Sequence, residues 1–260
     1  TMLDFNKLFV FIVFIFLANC NAQEKEIITN QLNANGNRHG LWKGYYEDTK
    51  YLKYEGTFND GKEVGTFTFY DNTKAKSIIA TRVFQKDGSV YTTFFKGKFK
   101  VSEGLVINKK YQGLWKTYHF ESDQVMMLEH YKNDVLHGKK QVFYMDGDLL
   151  EESTYLNGLR DGVYKKFAPT GKVLEELTFK LGKLTGKAMY RDHQGNLESE
   201  GMYRNDLPIG EWKYYENGKL VRTEYKESQR KLRKAGDSLA HPTAEIRKLK
   251  QKPKKIRKVK

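Results

Sequence analysis

Between residues 39 and 226, apolar and polar residues alternate in short runs separated by Gly, Asn and Asp. Alternation with a period of two marks strands with one apolar face and one polar face. The clearest run is GEWKYYENGKLVRTEYK, residues 210–226. Trp and Tyr alternate, Asn217-Gly218 interrupts them, and a second alternating run follows. Asn and Gly both tolerate positive φ, so the pair predicts a type I′ turn closing a β-hairpin. Asn157-Gly158 and Asn59-Asp60-Gly61 are further turn signals and are expected to lead from one hairpin into the next.

The hairpin recurs. An opening Gly stands at 40, 65, 113, 138, 162, 186 and 210, with spacings of 25, 48, 25, 24, 24 and 24. The 48 is two periods, so one copy has lost its marker; residues 78–97 are expected to be that copy, with a kink or bulge. A period in this range signals a stacked array of one supersecondary unit. Five residues after the Gly stand Tyr45, Tyr70, Tyr118, Phe143, Phe167 and Tyr215, with Arg191 as the exception. Eleven after it stand Leu149, Val173 and Leu197, and seventeen or eighteen after it Phe58, Tyr131, Tyr155, Phe179 and Tyr203. With a short loop between them, positions five and eleven face each other, and parity along the second strand then puts all three on one apolar face. One hairpin cannot bury such a face alone, so stacking explains the repetition.

The opposite face is expected to carry Glu152, Glu176 and Glu200, spaced at 24, with Glu55 in the first copy. Leu128 interrupts this series, and Glu224 is a weaker member because its turn is one residue shorter. Trp42, Trp115, Tyr164 and Trp212, two residues after their Gly, are expected beside those carboxylates. Both series admit two readings. The Glu residues form a solvated face or a surface for cations, a basic partner or the chain's own tail. The Trp/Tyr series packs between hairpins or lines a ligand groove. These residues are the candidate partner contacts.

The pattern G-x-W-x-x-Y-Y-x-x-G-x-L-x-x-x-x-x-Y-x-x-G resembles the MORN repeat, in particular the bacterial MORN-repeat-variant proteins labelled antitoxin-like. GLWKGYY at 40–46, GLWKTYH at 113–119 and GEWKYYENGKL at 210–220 carry the resemblance, which covers roughly residues 39–226. It implies an all-β fold, a single elongated antiparallel sheet of hairpins used as a scaffold or binding surface, and it does not imply catalysis. Its label also suggests neutralisation of a toxin.

The rest of the chain changes this picture at both ends. Residues 8–18, LFVFIVFIFLA, form an apolar run of eleven, too short for a spanning helix and of the length of a signal-peptide core. Cleavage after Cys20-Asn21-Ala22 would leave Gln23 first; Leu17-Ala18-Asn19-Cys20 instead resembles a lipobox, with Cys20 lipidated. Residues 1–22 are therefore expected to direct export, as a periplasmic, secreted or membrane-anchored protein, and 23–38 to form a linker. The net charge is +14, of which +11 lies between Lys226 and Lys260, where fourteen Lys or Arg meet three Asp or Glu. This tail, 227–260, is expected to be part helical and part disordered, with Arg230, Lys231, Arg233, Lys234, Lys254, Lys255, Arg257 and Lys258 seeking anionic lipid or another envelope polyanion. It has no aromatic residue to stack on bases, which argues against nucleic acid. The one cysteine excludes an intrachain disulfide. The six histidines form no metal motif, no nucleophile or phosphate-loop signature is present, and neither a cofactor nor an enzymatic activity is expected.

Overall fold

The structure is a computed structural model that describes residues 28–227. The short strand β1 (Gln31–Leu32) lies beside β2 (Arg38–Tyr45). From β2 onward the chain is a succession of hairpins. They pair β2 with β3 (Leu52–Asn59), β4 (Lys62–Tyr70) with β5 (Ile78–Phe84), β6 (Val90–Lys96) with β7 (Phe99–Ile107), and β8 (Lys110–Tyr118) with β9 (Val125–Lys132). Next comes β10 (Val135–Phe143) with β11 (Leu149–Leu156); then β12 (Leu159–Arg160) and β13 (Gly162–Phe167), one strand interrupted at Asp161, precede β14 (Val173–Lys180). The last pairs are β15 (Lys183–Arg191) with β16 (Leu197–Arg204) and β17 (Leu207–Glu216) with β18 (Lys219–Lys226). Apart from β12 and β13, which both pair with β11, each strand bonds antiparallel to its neighbours in sequence, so the described chain is a single eighteen-stranded sheet. The expected linker is partly built into it through β1, whereas the N-terminal segment with Cys20 and the basic tail residues 230–258 lie outside the described residues.

The turn chemistry acts as the sequence predicts. Asn217 and Gly218 have φ of 51° and 74°, and Asn157 and Gly158 have 50° and 82°, as type I′ turns require. The marker glycine has a different task. At Gly65, φ is 67°. Thr57 pairs with Val64 but Glu55 pairs with Thr68, so β4 advances four residues where β3 advances two. The Gly sits inside a bulge that only a residue at ease with positive φ makes cheaply.

The stretch 78–97 is not one worn copy. It joins the end of one hairpin, β5, to the start of the next, β6. The marker place there is Val90, whose branched Cβ disfavours positive φ. The ladder from Ala80–Phe94 to Phe84–Val90 accordingly runs without a shift. Where a kink was expected, this junction is regular, while the adjacent junctions β3–β4 and β7–β8 carry the bulges.

A second bulge corrects the assignment of faces. Positions five and eleven are opposite each other as expected: Phe143 pairs with Leu149, and Phe167 with Val173. Just before them, however, Val142 pairs with Glu151 and Leu150 is passed over. The same slip follows Gly44, Phe69, Thr117, Lys166, Tyr190 and Tyr214. The extra residue reverses parity, so position five lies on the opposite face from the aromatics at seventeen. Position two joins those aromatics: Trp42 packs edge-on to Phe58 at 5.9 Å, and Trp212 to Tyr203 at 5.2 Å. The aromatic face is therefore built from positions zero, two and four with position seventeen. Its C-terminal core joins Tyr164, Leu177, Ala188 and Trp212.

Candidate functional site

Trp115, Tyr164 and Trp212 are 4%, 7% and 5% exposed. They belong to the packed aromatic face and are not a groove beside the Glu series, which corrects the expectation for the whole position-two row. The Trp115 indole donates to the Leu105 carbonyl at 3.0 Å and stacks on Tyr111 at 3.8 Å between centroids. The half-buried Trp42 donates to the Gln31 carbonyl at 3.1 Å and lies under the Arg38 guanidinium at 4.8 Å. Tyr164 lies edge-on to Phe179, with the Arg160 guanidinium 4.9 Å above its ring. Burial, then the charges of Glu151 and Glu175, push its phenol well up.

The position-two rings lie flat over a backbone with no side chain. A Cβ on Gly56 would sit 2.4 Å from the Phe67 ring, on Gly104 2.4 Å from Trp115, and on Gly201 2.3 Å from Trp212. Other junctions of the same row fill the space differently. Small Ser153 follows Glu152, whose partner on the adjacent strand β13 is Lys165, the residue after Tyr164, and Leu177 pairs with Ala188. Lys140 meets Glu129 at 2.9 Å in a largely buried ion pair. Sequence spacing could have found these exchanges, because each large member faces a small or oppositely charged one across the turn.

Glu152, Glu176 and Glu200 do line the opposite face, but not as a bare ladder. Lys139 approaches Glu152 at 2.9 Å, Lys165 reaches Glu176 at 4.0 Å, and Lys187 meets Glu200 at 3.2 Å. Glu55 pairs across the strands with Lys43, and Glu103 with Lys116. Position five adds phenols. Tyr70 donates to Glu55 at 2.5 Å, Tyr118 to Glu103, and Tyr215 to Glu200 at 3.0 Å. In each case the carboxylate stands fifteen residues earlier. Fifteen residues after Leu128 stands Phe143, but Phe167 follows Glu152 and Arg191 follows Glu176 at the same distance, so the phenol is absent from several copies. Glu224 has slipped off this face: it pairs with Trp212, as the shorter turn foreshadows.

These pairings set the charges. Burial works against the Glu103 carboxylate, but the Tyr118 hydroxyl and the Lys100 ammonium outweigh it and hold the group below its usual range. Lys187 is the main cause of the same downward shift at Glu200. Burial, followed by Glu55, pushes the Tyr70 phenol up to about 12. A depressed carboxyl contributes stability that is whole above its unfolded value and is lost as pH falls through the folded one. Glu103→Gln is therefore expected to flatten the acid limb of a Tm-against-pH profile below about pH 5. An unchanged slope would refute this coupling.

The same charged face carries four exposed aliphatic residues spread along one line across the strands, with polar residues such as His130, Thr154 and Thr178 between them. Val83 and Leu114 are each 40% exposed, and Val163 and Met202 each 45%. Each adjoins a residue of the aromatic face (Arg82 or Phe84, Trp115, Tyr164, Gly201) and so points the other way. Residues 160–181 match the family described as MORN repeat variant. The chain carries a MORN repeat. The matched segment is one MORN hairpin, from the end of β12 through β14 into the turn at Leu181. No curated protein matches the chain. Among the described residues, no group of three His, Cys, Asp or Glu is placed to hold a metal ion.

Proposed function

We propose that this MORN-repeat chain is a non-enzymatic, exported scaffold that binds a protein partner through the charged face of its sheet. The observation that carries this reading is the aliphatic set Val83, Leu114, Val163 and Met202, exposed beside carboxylates that already have lysine and tyrosine partners. Internally satisfied charges hold the surface in shape without demanding a ligand, and aliphatic side chains exposed at intervals between them offer apolar contacts to a partner. The signal-like residues 8–18 support export.

The test is capture from envelope extract by residues 23–260. Lys at Val83, Leu114, Val163 and Met202 together is expected to abolish capture of a protein that otherwise survives high salt, while circular dichroism stays unchanged. Capture that is insensitive to these changes removes the surface from the reading.

The +11 tail supports a second reading, an electrostatic adaptor for anionic lipid or an envelope polyanion. Capture lost with salt or with the tail, but indifferent to the four substitutions, would favour it. A third reading, neutralisation of a toxin, rests on the family label alone and would need the captured protein to be a toxin.

A further inference from the structure

The third hairpin, β6–β7, departs from the repeat at three places on the aromatic face. Val90 stands for the marker Gly, Thr92 for the position-two ring, and Val106 for the position-seventeen ring. Because these side chains are smaller, the face is hollow there. A cleft of about 440 Å³ opens, walled by Phe84, Phe94 and Tyr111. That volume falls within the range of small-molecule sites, and the walls supply the apolar lining such sites use.

The polar groups at the rim give the cleft a sign. Arg82 pairs with Thr92 in the row that elsewhere holds a ring over Gly or the Lys140–Glu129 ion pair. Arg82 is exposed, its guanidinium lies 5.1 Å from the Phe69 centroid, and among the described residues it meets no carboxylate within ion-pair distance. Lys109 stands at the far rim, also without an ion pair among them, and Glu63 is the one acidic residue of the lining. Two cations therefore face one carboxylate. Where this row carries a cation at Lys140, the chain supplies Glu129 to meet it; at Arg82 it supplies none.

We propose that the cleft binds a small apolar carboxylate. Its aromatic or branched body occupies the space the missing rings leave, and its carboxylate pairs with Arg82. The cleft opens on the aromatic face, opposite the four aliphatic residues, so this site and the scaffold surface can fail separately.

The test uses the full chain and three probes of one shape: 4-phenylbutyrate, 4-phenylbutanol and 4-phenylbutylamine, titrated by ligand-observed NMR. The carboxylate is expected to bind about fivefold tighter than the alcohol, the worth of one accessible charge-assisted contact, and the amine weakest. Arg82→Gln is expected to erase the preference for the carboxylate over the alcohol while leaving alcohol binding intact. Thr92→Trp, which puts a ring into the cleft, is expected to abolish binding of all three, with circular dichroism checking that the variant is folded. Absence of carboxylate binding at millimolar concentration would overturn the proposal. So would equal or tighter binding of the amine, an unchanged preference in Arg82→Gln, or undiminished binding in a folded Thr92→Trp.

Discussion

Gly104→Ala is expected to cost about 3 kcal/mol, the upper part of the usual range for overpacking and far more than a Gly-to-Ala change costs in most strands. The added Cβ would lie 2.4 Å from Cδ2 of Trp115 and 2.5 Å from Cε2 and Cγ. The indole has little room to retreat. Tyr111 stacks on it at 3.8 Å, and its N–H is bonded to the Leu105 carbonyl at 3.0 Å. Opening the site separates this collision from any general sensitivity of β7. In a Trp115→Ala background, itself expected to lose about 3 to 5 kcal/mol, Gly104→Ala should be close to neutral. Urea denaturation of the four proteins measures the coupling. An equal penalty for Gly104→Ala with and without the ring would show that the indole does not confine this strand.

The sequence carries that glycine's role only as a spacing, eleven residues before its ring as at Gly56–Phe67 and Gly201–Trp212. The period, the marker glycines, the Asn-Gly turns and the pairing of Phe143 with Leu149 follow from residue identities, because each depends on local backbone chemistry. The assignment of faces failed at one point. Leu150 is skipped in the ladder, and a strand with one extra residue has the same length and composition as a strand with a longer loop. Parity then inverts, and Trp115, Tyr164 and Trp212 move from the expected surface into the packed face. The Glu series survived because Glu152, Glu176 and Glu200 lie on the far side of the bulge from the turn, in register with one another. Their partners were missed because lysines at positions one and three, and a phenol fifteen residues later, meet the carboxylate only when neighbouring strands are laid together. The same holds for the hollow at Thr92. A lost marker looks like decay when read along the chain, and becomes a cleft only beside Phe84 and Tyr111.

The fourth hairpin junction shows how freely the row can be refilled, and it yields the second large expectation. Glu129 stands where other copies hold Gly, and Lys140 where they hold a ring. Their side chains are 11% and 25% exposed, and the Tyr131 hydroxyl donates to Glu129 at 3.0 Å. Removing one partner of a buried pair strands the other charge, whereas replacing both by well-packed apolar groups is often neutral or better. Glu129→Gly alone is expected to cost about 3 kcal/mol, since Lys140 would lose its counter-charge. Lys140→Trp alone is expected to cost a similar amount, about 3 kcal/mol, because an indole would cover an unpaired carboxylate. The double variant recreates the arrangement in which Trp42 pairs with Gly56 and Phe67 covers that Gly. It is expected to come within about 1 kcal/mol of the parent or to exceed it, a coupling of roughly 5 kcal/mol between positions facing each other across adjacent strands. Denaturant midpoints of the four proteins decide the matter. If the two losses simply add, Glu129 and Lys140 are not a substitute for the ring and glycine, and the row is not one interchangeable set of fillings.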